Sequence, residues 1–600
     1  MDLATLKALK PTQYSEAADG YRSTSDMAST VKDRIENQTA VAMRNQLKGK
    51  AATTAVTQLG ELSRNFHYIQ TQCGLVSTAL EAFSYEMEAA KRKLDTALEN
   101  AKAANLTVNP DGSVTYPPGG QKGEDGKTPD GGTVSGLTDS TASAVGRQAA
   151  NFDPNPHHRL AQDCADLIAT ALKEATEADE KWAPKLRALK ADDDLTVSDA
   201  DWADTKEDTT SVLKGANGYL DSFSEPPRNG TPEENAKWWG GLTEEQRAAY
   251  MAVHPDTIGW MDGLPAPVRD EANRTVLAEA HGVAQTELDS WIAKEPKPAY
   301  VEREIINAQT GERWIAKVPT DDWLAWESRR KELQHPLDGM QAIQDRFDAT
   351  GTKGLPEAYL LGFSADGDGR AIIANGNPDT ADHTAVYVPG TTADLGNIKG
   401  DIDRMVNVWK AAESKVDTES ISTITWLGYD APDSVAKDAP FEHYAYDGAP
   451  AFRNFMNGLD TSHAGGPSHT TVIAHSYGTT LVGAAAQTGR LNADDIIFAG
   501  SPGVKVSGAD ELDVPKGHVW NQEADGDVVP DIGRWGHGGD GFIIPSDPSF
   551  GANQMITDTE GHSDYWKAKK ESLLYQALVV VGKGDDVPLK SPPNPWEHVK

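Results

Sequence analysis

The sequence predicts an α/β protein: a mostly parallel sheet with helices on both faces, preceded by all-α helical modules. Three observations carry this. Over roughly the first 350 residues apolar side chains recur at helical spacing, whereas from Tyr359 onward short apolar runs alternate with helical stretches. Within that second region, Thr470-Thr471-Val472-Ile473-Ala474-His475-Ser476-Tyr477-Gly478 leads through one serine into Ala-rich sequence, from β-branched residues to good helix formers.

The chain has 600 residues, more than one domain's worth. Asp and Glu number 91 against 56 Lys and Arg, a formal charge of −35 that argues against nucleic acid as a partner and for solubility. Cys73 and Cys164 are too few and too far apart for a disulfide framework or a Cys-based zinc site, and leave one bridge between them as the only pairing. Met1-Asp2-Leu3-Ala4-Thr5-Leu6-Lys7 lacks the basic start and apolar core of a secretory signal, and Ala577-Leu578-Val579-Val580-Val581 is too short to span a bilayer. A soluble cytoplasmic protein without a transmembrane segment is the default expectation.

Residues 1–104 read as two helices broken at Leu47-Lys48-Gly49-Lys50-Ala51-Ala52, with Leu59, Leu62, Phe66, Ile69, Leu75, Leu80, Phe83 and Met87 at helical spacing. Such a pattern predicts an antiparallel hairpin. It resembles the small helical hairpins that travel by type VII secretion in actinobacteria, whose turn carries Trp-x-Gly and often paired alanines. Leu47 stands in place of the Trp, and four residues after Tyr85 stands Ala89 rather than the acid of a secretion tail. The resemblance implies a helical protein partner and export without a cleaved signal peptide.

Residues 105–147 hold Asn109-Pro110-Asp111-Gly112 and Pro117-Pro118-Gly119-Gly120 in Gly/Asp/Thr/Ser-rich sequence, which predicts a linker. Residues 148–225 form a second helical module, opened by Asn155-Pro156 and carrying Leu160, Cys164, Leu167, Ile168, Ala171 and Leu172 on one face. Its acidic cluster, Asp192-Asp193-Asp194 with Asp199 and Asp201, lacks the glycine and final Glu of an EF-hand and reads as a solvated capping loop. Residues 226–355 are mostly helical. Thr231-Pro232 with Glu234 is a helix start, and Trp238-Trp239 needs a neighbour to pack on. Their position ahead of the sheet suggests a cap over a pocket.

Residues 356–600 carry the sheet. Strands are expected at Tyr359–Phe363, Arg370–Ala374, Thr384–Val388, Ile421–Trp426, Thr471–Ala474, Asp495–Ala499 and His518–Asn521, with helices at Ile398–Ser414, about Ala451–Leu459 and Gly478–Thr488. The first two strands, joined by Ala365-Asp366-Gly367-Asp368-Gly369, read as an antiparallel edge hairpin.

Ala474-x-Ser476-x-Gly478 is a nucleophile elbow with Ala in the first small position, and a serine elbow after a middle strand is the order of an α/β hydrolase. In that order an acid and then a histidine follow. Asp527, in an Asp-x-Val-Pro turn similar to the acid loop of several lipases, is the expected acid, with Asp525 as alternative. His562, just before the last helix, is the expected base; His537 follows the acid too closely. A serine hydroxyl attacks only when a base takes its proton, and an acid fixes the base's tautomer. The oxyanion then needs two N–H donors, expected from Tyr477 and from Thr391 in Pro389-Gly390-Thr391-Thr392. With no Gly-x-x-x-x-Gly-Lys loop, no paired Cys ligands and no His-Glu-x-x-His, no metal or organic cofactor is expected.

Val388-Pro389-Gly390-Thr391, Thr425-Trp426-Leu427-Gly428-Tyr429-Asp430-Ala431-Pro432, Ala474-His475-Ser476-Tyr477-Gly478, Gly500-Ser501-Pro502-Gly503 and Gly561-His562-Ser563-Asp564-Tyr565 together resemble an actinobacterial α/β-hydrolase family of uncharacterised function, over residues 226–585. The resemblance implies the fold and a triad on Ser476, Asp527 and His562. The expected activity is esterase- or lipase-like hydrolysis of a small-molecule or lipid-like acyl substrate. Acyl transfer or peptide hydrolysis through the same triad is an alternative. So is an interaction or export-associated protein that keeps the fold as a scaffold.

Overall fold

A computed structural model describes residues 1–124, 126–190 and 196–590, residue 540 by its backbone alone. The acidic run Asp192-Asp193-Asp194 lies outside the described residues.

The N-terminal hairpin pairs α1 (Thr12–Arg34) with α2 (Lys50–Ala103). Ser84 donates to the Pro11 carbonyl and Ser25 to that of Gln70, which makes the pair antiparallel. The chain reverses at Leu47–Gly49, where Gly49 has φ +100°, a conformation open to glycine but strained for other residues. α3 (Pro156–Ala188), capped by Asn155, runs back along α2 and joins it through Leu75, Met87, Ile168 and Trp182. α4 (Asp199–Leu220) starts with a capping box between Ser198 and Asp201, which explains part of the acidic cluster. Cys73 and Cys164 are both free thiols.

The described residues of the 105–147 segment, expected as a linker, are folded. Strands Thr107–Val108, Val114–Tyr116 and Gly132–Val134 make an antiparallel sheet, and helix Ser140–Phe152 follows. The segment has little apolar surface of its own, and α3 supplies the rest. Val114 and Tyr116 join the core of the helical module, Tyr116 stacks on His158, and Asn155 donates to the carbonyls of Pro117 and Asp130.

Residues 226–355 differ from expectation in two ways. α5 (Ala266–Ile292) and α6 (Asp321–Asp348) lie on the main sheet: Leu277, Leu288, Leu337, Ile343 and Phe347 share a core with Leu360, Ile373 and Tyr387. They are a layer of the α/β domain, which therefore begins well before residue 356. Between them, strands Tyr300–Ile306 and Arg313–Pro319 form a mostly exposed hairpin within sequence read as helical. Trp238 and Trp239 are buried with Tyr250, Ile258 and Leu264, as their cost in water requires. Arg274 of α5 ties this layer to the N-terminal hairpin, pairing with Asp270 at 2.7 Å and with Glu36 at 3.2 Å.

The main sheet has eight strands: β1 (Ala358–Ser364), β2 (Arg370–Asn375), β3 (His383–Val388), β4 (Ile421–Leu427), β5 (His469–His475), β6 (Asp495–Ala499), β7 (Val519–Gln522) and β8 (Asn553–Gln554). Their spatial order is β1-β2-β4-β3-β5-β6-β7-β8. β2 pairs antiparallel with both neighbours and the remaining pairs are parallel. Side chains alternate between two cores: Ile473 and Ile497 face α5, α6, α7 (Lys399–Glu413) and the C-terminal helix Glu571–Val580, whereas Val472 and Ile496 face α8 (His443–Ser462) and α9 (Tyr477–Thr488). This is the doubly covered, mostly parallel α/β-hydrolase sheet, preceded by helical modules. No described helix is long and apolar enough to cross a membrane.

Candidate active site

The centre of the site is the junction of β5 and α9. The strand ends at His475, the helix begins at Tyr477, and Ser476 between them has φ 53° and ψ −128°. A non-glycine residue held there stores about 1–3 kcal/mol of strain. Surrounding contacts impose it: Ser476 N–H donates to the Ala499 carbonyl at 3.0 Å, and the glycines nearby admit no side chain. A Cβ on Gly478 would lie 2.5 Å from the Val388 carbonyl oxygen, and one on Gly390 would lie 2.6 Å from Ser476 Cβ. Ala474, in the first small position of the elbow, is fully buried.

Asp527 and His562 come together beside this turn. Nδ1 of His562 is 3.0 Å from each Asp527 oxygen, and Tyr565 donates its hydroxyl to Oδ2 at 2.6 Å. Val529 N–H adds a bond to Oδ1 at 3.0 Å. Burial by itself would raise the Asp527 carboxyl, but the bonds from His562 and Tyr565 outweigh it and hold the group below its usual range. Gly500, at φ +57°, makes room for the pair: a Cβ there would lie 2.7 Å from Asp527 Oδ2 and 2.9 Å from His562 Nδ1.

Ser476, His562 and Thr391 line one cavity of about 770 Å³, with Val435, Ile532 and Trp535 on its apolar side. Tyr477, first residue of α9, has no intrahelical acceptor for its N–H. Its hydroxyl is anchored to the Phe441 carbonyl at 2.5 Å. In the facing loop, Thr392 N–H is committed to the Pro432 carbonyl at 2.7 Å. Asp525 is exposed, and it is its carbonyl that faces the histidine loop, accepting from Gly561 N–H. His537 also lines the cavity, but its Nε2 contacts the Ala439 carbonyl at 2.8 Å. No residue of 226–355 lines the cavity, so the cap expected there is not over it; the rim comes from residues 435–440 and from α10 (Val529–His537).

Two further residues support the pair, Tyr565 and His475. Tyr565, which also accepts from Ala524 N–H at 3.1 Å, fixes the far side of the Asp527 carboxylate. His475 places Nε2 2.7 Å from the His562 carbonyl, and burial holds its imidazole neutral, well below its ordinary value, so Nε2 is the donor. Position alone next to the serine and histidine was the available signal. Among the described residues no group of three His, Cys, Asp or Glu converges as metal ligands would.

Residues 365–536 match the model of a family described as alpha/beta hydrolase. An uncharacterised protein of Mycobacterium tuberculosis is 29% identical over 323 residues, 52% of this chain and 45% of the relative. One of Mycobacterium bovis is 26% identical over 228 residues, 36% of this chain and 83% of the relative. The chain thus spans about half the length of the first of these relatives. No solved structure gives a significant match.

Proposed function

We propose that this α/β-hydrolase-fold chain is a serine hydrolase that cleaves acyl esters through Ser476, His562 and Asp527. The observation that carries the reading is the Asp527–His562 contact, 3.0 Å from Nδ1 to both oxygens, opening into the same apolar cavity as a serine held on a strained elbow. Asp527 accepts from Nδ1–H and leaves Nε2 as the free base. Nε2 takes the Ser476 proton as Oγ bonds to the acyl carbon. The proton passes to the leaving alkoxide when the ester C–O bond breaks, and water repeats the sequence to release the acid. Tyr477 N–H and Thr391 N–H are assigned to the oxyanion. The predominantly apolar rim favours an acyl chain over a peptide.

Labelling with a fluorophosphonate tests the reading. Wild type should label; Ser476→Ala should not, and His562→Ala should label at least about a hundredfold more slowly. Equal labelling of wild type and Ser476→Ala would refute the assignment.

A further inference from the structure

The rim of the cavity is built inside out. Along α10 two polar side chains face the protein, while Asp531 stays exposed on the flank: His537 is buried against the Ala439 carbonyl, and Arg534 pairs with Asp547 at 3.2 Å. Gly533 sits tight on Pro502, where a Cβ would lie 2.1 Å from the proline Cβ, and Pro530 is buried. The opposite stripe, Val528, Ile532 and Trp535 at helical spacing, is 60%, 69% and 71% exposed. Across the mouth Val435 is 69% and Phe441 58% exposed, and Phe542, in ring contact with Trp535, is 46% exposed. An ordinary surface helix turns this face to the core. Six large apolar side chains left in water around one opening mark an interaction surface.

We infer that this rim docks on a lipid–water interface and passes an acyl chain from it into the cavity, which rests on the acyl-hydrolase reading above. Continuity decides the occupant. Val435, Val528, Ile532 and Trp535 line the cavity as well as the outer surface, so an acyl chain moves from aggregate to Ser476 along apolar side chains without entering water. A protein seated on the same face would cover the opening these residues frame. Charge decides the kind of interface. The flanks carry Asp433, Asp438, Asp531 and Glu442 against Lys437, Lys505 and Arg534, within a chain of net charge −35, so the surface suits neutral or zwitterionic lipid and not an anionic one. Insertion is apolar and shallow, as for an amphipathic helix lying in the interface plane.

Flotation with phosphatidylcholine vesicles tests this in the full chain carrying Ser476→Ala, so that binding is read without turnover. The protein should float with the vesicles and stay bound in high salt. Ile532→Asp or Trp535→Asp should each lower the bound fraction at least about tenfold, the scale of removing one large apolar side chain from the contact. Phe441→Ser, outside the cavity lining, should also weaken binding; unchanged melting temperatures show that the variants are folded. Three outcomes overturn the inference: no flotation, flotation that the variants do not reduce, or a dimer in sedimentation that the variants convert to monomer. Vesicle binding through these residues with no ester hydrolysis by wild type would leave the docking surface standing and remove the hydrolase reading instead.

Discussion

Tyr565 gives its hydroxyl to Asp527 at 2.6 Å, on the carboxylate that also receives His562, so the acid is held from both sides. A carboxyl depressed in the folded state stabilises the fold above the ordinary carboxylate range, and that contribution is lost as pH falls through the depressed value. Tyr565→Phe removes one of the bonds responsible. It should raise the Asp527 carboxyl toward its ordinary range, cost about 1–2 kcal/mol of stability at neutral pH, and shift the acid limb of melting temperature against pH upward. An unchanged acid limb would mean that the hydroxyl does not tune the carboxylate.

Gly478 is required by space. With the carbonyl oxygens of Val388 and Pro389 at 2.5 and 2.6 Å from an added Cβ, Gly478→Ala must push the elbow away from β3. Overpacking of this kind costs about 1–3 kcal/mol. The expected result is a lower denaturation midpoint together with loss of fluorophosphonate labelling, read on the same protein.

Arg274 is the charge that buried Asp270 and half-buried Glu36 share across the junction of the N-terminal hairpin and the sheet layer. Its guanidinium also lies 3.7 Å from the centre of the Phe347 ring. Arg274→Met leaves Asp270 and Glu36 without their partner and should destabilise the chain by about 3–5 kcal/mol in urea unfolding. A loss under about 1 kcal/mol would show that the junction does not depend on this pair.

Glu81, on α2, is pushed up to about 7, first by burial and then by Glu245. A carboxyl raised in this way holds its proton more tightly folded than unfolded. Its contribution is complete below the ordinary carboxylate range and is lost as pH rises through about 7. Glu81→Gln should therefore melt like wild type near pH 4 and a few degrees higher near pH 8. Equal melting of the two proteins at both pH values would contradict it.

The strands were legible because a doubly covered parallel sheet writes itself as short runs rich in apolar and β-branched residues, as in Ile496-Ile497-Phe498-Ala499 and, with Ser422, Thr423 and Thr425 interspersed, in Ile421–Leu427. β8 was not, being two polar residues on the edge, Asn553 and Gln554. The folded 105–147 segment and the layer role of α5 and α6 were hidden for one reason: their burial depends on surface that α3 and the sheet provide, which local composition does not show. In the site, chain order brought Asp527 and His562 forward, since each is an ordinary loop residue alone. α10 misleads in the opposite sense. Val528, Ile532 and Trp535 have the spacing of a core-facing stripe, and only the placement of Arg534 and His537 beneath them shows that it faces out.

The central claim is that Ser476 becomes acylated. The direct measurement is intact-mass and peptide analysis of the full chain quenched during turnover of 4-nitrophenyl butyrate. The account predicts one butyryl group, on the peptide containing Ser476, absent from Ser476→Ala and formed far more slowly when His562 is replaced, because the same base activates the serine. A butyryl group on another residue, or full hydrolysis by Ser476→Ala, would contradict it.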